Sequence, residues 1–203
     1  MIPPLVRRAH ALAESLGFPL MPEGRPPGHS GPPSACIPEV GRLLQVLAAG
    51  KIGGLIVEHG TGAGVGTAWL ASGMPADSKL ISVELDPKLA NAARELFRDY
   101  PNVEIRQGDW HDALANGPPA DLLFMDATVR QDLGSRDWER MTELVKVGGQ
   151  FVMDDLTPIE LWPPEWQGHV DFKREFAFSN PRVIGVEVRT TATTAALIVT
   201  RIR

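Results

Sequence analysis

The chain has 203 residues, 20 basic and 25 acidic, giving a formal net charge of −5, and one cysteine, Cys36. That length suits one domain with a small extension, supports a core without staples, and leaves no partner for a disulfide within the chain. The acidic balance argues against a nucleic-acid partner held by bulk electrostatics. No stretch is long and apolar enough to span a bilayer, and the N-terminus lacks the apolar core of a signal peptide, so the expected setting is cytoplasmic, without a membrane partner.

Residues 4–16 carry Leu5, Ala9, Leu12 and Leu16 in a thin helical stripe. Residues 19–38 then hold seven prolines with Gly24, Gly28 and Gly31 among them, a connection that reads as a flexible tail segment or a functional loop. Residues 1–36 are therefore read as an N-terminal helix and proline-rich cap, and 37–203 as the main domain. Pro38 opens a helix with Val40, Leu43, Leu44 and Leu47 on one face and Gly50 near its end.

The run Leu55-Ile-Val57 predicts a short buried strand. It ends in Glu58, followed by glycine at every second position (Gly60, Gly62, Gly64, Gly66) and a helix-compatible stretch from Thr67. Strand, glycine turn and helix start form a nucleotide-binding βα unit: the glycines permit positive φ and close approach, and the helix end offers unpaired N–H groups. Residues 79–85 read as a second strand. Asp86-Pro87 opens the clearest helix, with Leu89, Ala92, Ala93, Leu96, Phe97 and Tyr100 on one face. Strands are expected at 103–109 and 120–127, a helix over 136–147, a break at Gly148-Gly149, and a fifth strand over 150–155. Residues 162–178 suit a helical or partly helical cover. The β-rich runs 182–190 and 195–203 are joined by too few residues for a helical crossover, so they must pair antiparallel. The alternation predicts an α/β fold, a parallel sheet covered on both faces.

The glycine run fails the dinucleotide spacing G-x-G-x-x-G, whose third position is Val65 or Thr67 depending on the start. What remains is E-x-G-x-G at Glu58, Gly60 and Gly62, which resembles the first motif of class I S-adenosylmethionine-dependent methyltransferases. Glu84, at the end of strand two, can accept both hydroxyls of a ribose or stand as a solvated strand-end acid. Asp109 can bond an adenine amino group or cap the next turn, and Trp110 can lie on a purine face or in the core.

With these pieces placed, the run from Ser34 to Pro158 resembles the O-methyltransferase family related to catechol and caffeoyl-coenzyme A O-methyltransferases. The pieces that carry this are Ile37-Pro-Glu-Val-Gly-Arg-Leu-Leu, Val57-Glu-His-Gly-Thr-Gly-Ala-Gly, Ser82-Val-Glu-Leu-Asp-Pro, Gly108-Asp109, Leu123-Phe-Met-Asp-Ala and Gly148-Gly-Gln-Phe-Val-Met-Asp-Asp. The resemblance implies a Rossmann-like class I methyltransferase fold: a seven-stranded, mostly parallel sheet with an antiparallel last strand. It implies methyl transfer from S-adenosyl-L-methionine to a small-molecule acceptor, and often a homodimer. Cofactor contacts are expected from Glu58, Gly60, Thr61, Gly62, Gly64, Glu84, Leu85, Asp109, Trp110 and Asp126, and also from the backbone around Ala35, Cys36 and Ile37. In the family an aspartate after strand four and an Asp-Asn pair after strand five hold a divalent cation. The matching residues here are Asp126, Asp154 and Asp155, with Asp replacing Asn, and three carboxylates suit Mg²⁺ or Ca²⁺. The family lysine three residues after the first metal aspartate is replaced by Val129, and Arg130 is the nearest cation of that loop. Asp126 and His111 are the candidate catalytic residues; His29 and His59 are further histidines of the region. Trp162, Trp166 and Phe172 can wall an apolar substrate pocket or belong to the core. An NAD-binding oxidoreductase and a non-catalytic cofactor-binding module of the same fold remain the alternatives.

Overall fold

Adjacent apolar pairs along the strands divide their side chains between two covered faces. Ile56, Leu80, Leu122 and Val152 point to one core, and Val57, Ile81, Leu123 and Phe151 to the other. This period-two split, buried on both sides, is what a sheet between two helical layers requires. The structure is a computed structural model and describes residues 1–19, 34–126 and 135–203. Most of the proline-rich loop, with His29, and the residues Val129 and Arg130 lie outside the described residues.

Along the chain come α1 (Pro4–Leu16), α2 (Pro38–Ala49), β1 (Leu55–His59), α3 (Val65–Gly73), β2 (Lys79–Glu84), α4 (Pro87–Leu96), β3 (Val103–Gln107) and the short α5 (Trp110–Ala113). They are followed by β4 (Ala120–Met125), α6 (Ser135–Glu143), β5 (Val145–Leu156), α7 (Phe172–Ser179), β6 (Val183–Arg189) and β7 (Ala195–Arg201). The seven strands form one sheet in the order β3-β2-β1-β4-β5-β7-β6, parallel except for β7, which runs antiparallel to both β5 and β6. The antiparallel ending expected from the short last connection is present. From β1 the chain winds outward to β3 and then returns to place β4 on the other side of β1. The crevice at the carboxyl ends of β1 and β4 is therefore the switch point where an open α/β sheet binds ligands.

Helices α1, α2, α3 and α4 fill the first core, in which Trp69 of α3 is fully buried. Gly41 of α2 admits the indole: a Cβ at that position would lie 2.2 Å from Trp69 Nε1. Helix α4 starts as expected, with the Asp86 carboxylate accepting from the N–H groups of Lys88 and Leu89.

Two boundaries differ from the sequence reading. The helix expected over 136–147 ends at Glu143, and β5 has begun by Val145, which pairs with Ala120. Gly148-Gly149 does not break the chain. It lies inside a long strand whose register with β4 shifts between Ala120 and Leu122, and a Cβ on Gly149 would lie 2.7 Å from Val145 and 2.9 Å from the Ala120 carbonyl oxygen. The glycines accommodate an irregular pairing rather than end it. The expected cover over 162–178 resolves into 3₁₀ turns at Ile159–Leu161 and Pro164–Trp166 followed by α7.

Candidate functional site

The glycine turn between β1 and α3 takes positive φ at Gly60 (98°), Gly62 (53°) and Gly64 (82°). It is stitched to β2 by bonds from the N–H groups of Gly60 and Thr61 to the Val83 carbonyl, at 3.0 and 3.1 Å. Glu84 braces it at the cleft edge: one carboxylate oxygen accepts from Gly62 N–H at 2.7 Å, the other from Asp86 N–H at 2.9 Å. Each oxygen keeps a further lone pair for a ligand. Leu85 is exposed beside it. Phe18, just beyond α1, lies on Gly62; a Cβ there would be 2.9 Å from its ring. Within the proline-rich stretch, Ala35 N–H donates to the Pro19 carbonyl at 2.8 Å.

Glu58 and Thr61, both expected at the cofactor, point away from the cleft into a buried polar knot under the turn. The Thr61 and Ser82 hydroxyls are 2.6 Å apart, and Ser82 Oγ donates to Glu58 Oε2 at 2.5 Å, where Thr67 also donates. Glu58 is fully buried, and its Oε1 has no hydrogen-bond partner among the described residues. Burial raises its pKa to about 8, against which the bonds from Ser82 and Thr67 act only partly. The folded value lies above the ordinary 4.5, so the fold favours the protonated acid. That stability is fully present below pH 4.5 and is lost as pH climbs toward 8. Glu58→Gln, which has no proton to lose, is expected to reduce the fall in Tm between about pH 6 and about pH 9. Thermal melts across that range check this; a slope identical to the native protein's would show that Glu58 is not the titrating group.

Asp109 and His111 form a latch. One Asp109 oxygen caps α5 by accepting from His111 N–H at 2.8 Å, and the same oxygen lies 2.8 Å from His111 Nδ1. His111 Nε2 lies 2.9 Å from Asp137 of α6, and Arg140 donates to the His111 carbonyl. Burial alone would lower the His111 pKa, but the bonds to Asp137 and Asp109 outweigh it and raise it. His111 is held by a carboxylate at each ring nitrogen, and it pins α6 to the loop after β3. Trp110 is buried in the second core, its ring 3.8 Å from that of His111 and 5.4 Å from that of His59. Burial holds His59 near pKa 4, hence neutral.

Asp126, Asp154 and Asp155 converge beyond β4 and within the end of β5. One carboxylate oxygen of each lies within 4.8 Å of the others. Asp126 is tied to β1 by its N–H, which donates to the His59 carbonyl at 3.0 Å. Asp154 and Asp155 sit where β5 slips against β7 between Met153 and Leu156, and Asp155 is the one described non-glycine residue with positive φ (58°). This irregularity turns two successive aspartates toward one point. Burial and then mutual repulsion raise the Asp126 pKa well above the usual carboxylate range, and the same causes bring Asp154 to about 8. Burial, and after it the field of Asp126 and Asp154, also pushes up the thiol of Cys36 beside them, which stays protonated.

The sequence reading missed Lys173. Carried on α7, its ammonium donates to the main-chain carbonyl of Asp154 at 2.7 Å, and its field reaches Asp126 as well. The sequence signal available was the helix start at Asp171, which caps Arg174 N–H at 3.1 Å; nothing local indicated where that helix would dock. Trp162 lines a cavity of about 670 Å³ beside α7, with Ile159, Val170 and Phe178, and packs edge-on against Trp166.

Strand order, the antiparallel β7, and a glycine turn facing acids at the switch point define the class I methyltransferase fold. Residues 57–156 match the family model described as a methyltransferase domain, which places this part of the chain among the methyltransferases. A relative from Mycobacterium sp. strain KMS, named "Putative O-methyltransferase", is 36% identical over 99 residues, covering 49% of this chain and 43% of its own length. The chain thus spans less than half the length of the curated relatives it matches. Among solved structures, the O-methyltransferase TomG from Streptomyces achromogenes, in complex with SAM, superposes with a TM-score of 0.76 at 19% identity, covering 100% of this chain and 92% of that one. An O-methyltransferase from Bacillus cereus, in complex with SAH, gives 0.71 at 22% identity, covering 99% and 92%.

Proposed function

We propose that this chain is an S-adenosylmethionine-dependent methyltransferase acting on an oxygen of a small molecule. The observation that carries this is Glu84, mounted at the carboxyl end of β2 with both oxygens braced by backbone N–H groups, next to a turn that three positive-φ glycines hold open. A ribose offers two adjacent hydroxyls, and a rigid two-oxygen acceptor is what they need. S-adenosylmethionine, when bound, supplies an electrophilic sulfonium methyl group. The chain's part is positioning: Glu84 holds the sugar, Leu85 and Asp109 border the adenine side, and Gly60, Gly62 and Gly64 allow close approach. Asp126 lies toward the reacting end. Catalysis by alignment of acceptor and methyl can lower a barrier by roughly 7–11 kcal/mol.

Three crowded carboxylates, two of them with raised pKa values, suit a hard divalent cation in charge and in donor type. Asp126, Asp154 and Asp155 would hold it, and its chemistry would be to lower the pKa of a bound acceptor hydroxyl. A buried, free Cys36 accords with a reducing, cytoplasmic setting.

The test is a titration of S-adenosylhomocysteine and, separately, NADH against tryptophan fluorescence, followed by a methyl-transfer screen of hydroxylated aromatic acceptors with and without EDTA. Saturable S-adenosylhomocysteine binding without an NADH response, and transfer to at least one acceptor, is expected. Tight NADH binding with no response to S-adenosylhomocysteine would overturn the reading in favour of an oxidoreductase. Cofactor binding without transfer to any acceptor would point to a binding module.

A further inference from the structure

We infer that Lys173 is the resident counter-cation of the Asp126, Asp154 and Asp155 cluster and sets how tightly that cluster takes up a divalent metal. The inference rests on the proposed reading of those three aspartates as the acceptor-side metal site.

The argument begins with how α7 is fixed. Its neighbour Arg174 is buried and spent on other partners. The guanidinium forms a two-pronged pair with Glu187 at 2.8 Å for each contact, bonds Asp171 at 2.5 Å, and donates to the Thr157 carbonyl at 2.9 Å. Two carboxylates neutralise it, and Trp162 covers it at 5.6 Å. Arg174 therefore anchors α7 without lending charge to the aspartates. Lys173, one residue earlier and so about 100° around the helix, reaches a different partner. Its ammonium is bonded to a carbonyl, the main-chain oxygen of Asp154, so this contact leaves its positive charge uncompensated. That contact fixes the ammonium on the main chain of Asp154, beside the point where the carboxylates of Asp126, Asp154 and Asp155 converge.

A tethered ammonium at this place has a definite consequence. It adds one positive charge beside three crowded carboxylates, and it repels a second cation entering the same donor set. A divalent ion binding there must do so against Lys173, and the site is expected to hold metal loosely. Removing the charge should tighten metal binding, whereas replacing lysine with arginine should preserve the weak affinity. A lysine that served only to strap α7 to β5 would show neither pattern.

The experiment measures Mn²⁺ binding by calorimetry, in the presence of S-adenosylhomocysteine, for the native protein, Lys173→Gln, Lys173→Met and Lys173→Arg. Gln keeps a donor for the Asp154 carbonyl without the charge, so a folded charge-free variant is available if Met perturbs the helix. Circular dichroism establishes folding. Expected is a Kd for Mn²⁺ about tenfold tighter in the Gln and Met variants and within about twofold of native in Arg. Equal Mn²⁺ affinity in the native protein and the Gln variant, or no Mn²⁺ uptake by any variant while all bind S-adenosylhomocysteine, would overturn the role given to Lys173. Loss of S-adenosylhomocysteine binding by the native protein itself would instead remove the proposed function on which it rests.

Discussion

Glu84→Ala is expected to weaken S-adenosylhomocysteine binding by about 100-fold. Two contributions combine. The carboxylate is the acceptor offered to the ribose, and hydrogen bonds to a charged group are worth about 1.5–3 kcal/mol each, so two of them at the low end already reach that factor. The same carboxylate also holds Gly62 N–H and Asp86 N–H, so its loss loosens the glycine turn on one side and the start of α4 on the other. Glu84→Gln keeps two polar atoms of similar reach but only one acceptor oxygen and no charge, and should lose about tenfold. Calorimetric titration distinguishes the three proteins. An alanine variant within threefold of native affinity would remove Glu84 from the cofactor site and leave it as a turn brace alone.

Trp69→Ala is expected to destabilise the protein by about 3–5 kcal/mol, a large part of the roughly 5–15 kcal/mol that holds a domain folded. The indole is fully buried among α1, α2 and α3, and α2 presents a glycine at position 41 to make room for it. Its ring nitrogen has no hydrogen-bond partner among the described residues, so the loss is of packing, and the cavity left behind is too deep to refill by side-chain rotation. Urea unfolding at constant m-value measures it; a loss below about 1 kcal/mol would show that α2 and α3 close over the gap. Because Trp69 lies one turn beyond the glycine turn, the cofactor site depends on the same packing.

The parts of this site that were legible in the sequence are those set by neighbours along the chain. The β-branched run before Glu58, the alternating glycines, and the acid ending β2 are local patterns, and β1, the turn and Glu84 stand where those patterns put them. The antiparallel ending followed from loop length alone. What was hidden depends on partners far away in sequence. The contact of His111 with Asp137, 26 residues on, cannot be drawn from spacing. The strand-end position of Glu58 shows in the sequence, but the hydroxyls of Thr67 and Ser82 that bond it beneath the turn do not. Lys173 reaches Asp154 from a helix 19 residues later. The early start of β5 was concealed by Gly148-Gly149, which in most contexts ends an element and here eases a register shift.

The left-handed backbone at Asp155 bears on the one substitution that set this chain apart at the end of β5. Asparagine and aspartate are the side-chain-bearing residues that most readily tolerate such a conformation. An exchange between them alters one charge and leaves the corner of the chain intact, whereas valine, isoleucine or threonine at 155 would have to unbend the strand end and swing Asp154 with it. The position is thus a narrow gate in sequence space: among residues that carry a side chain the backbone favours two, alike in shape and different in charge.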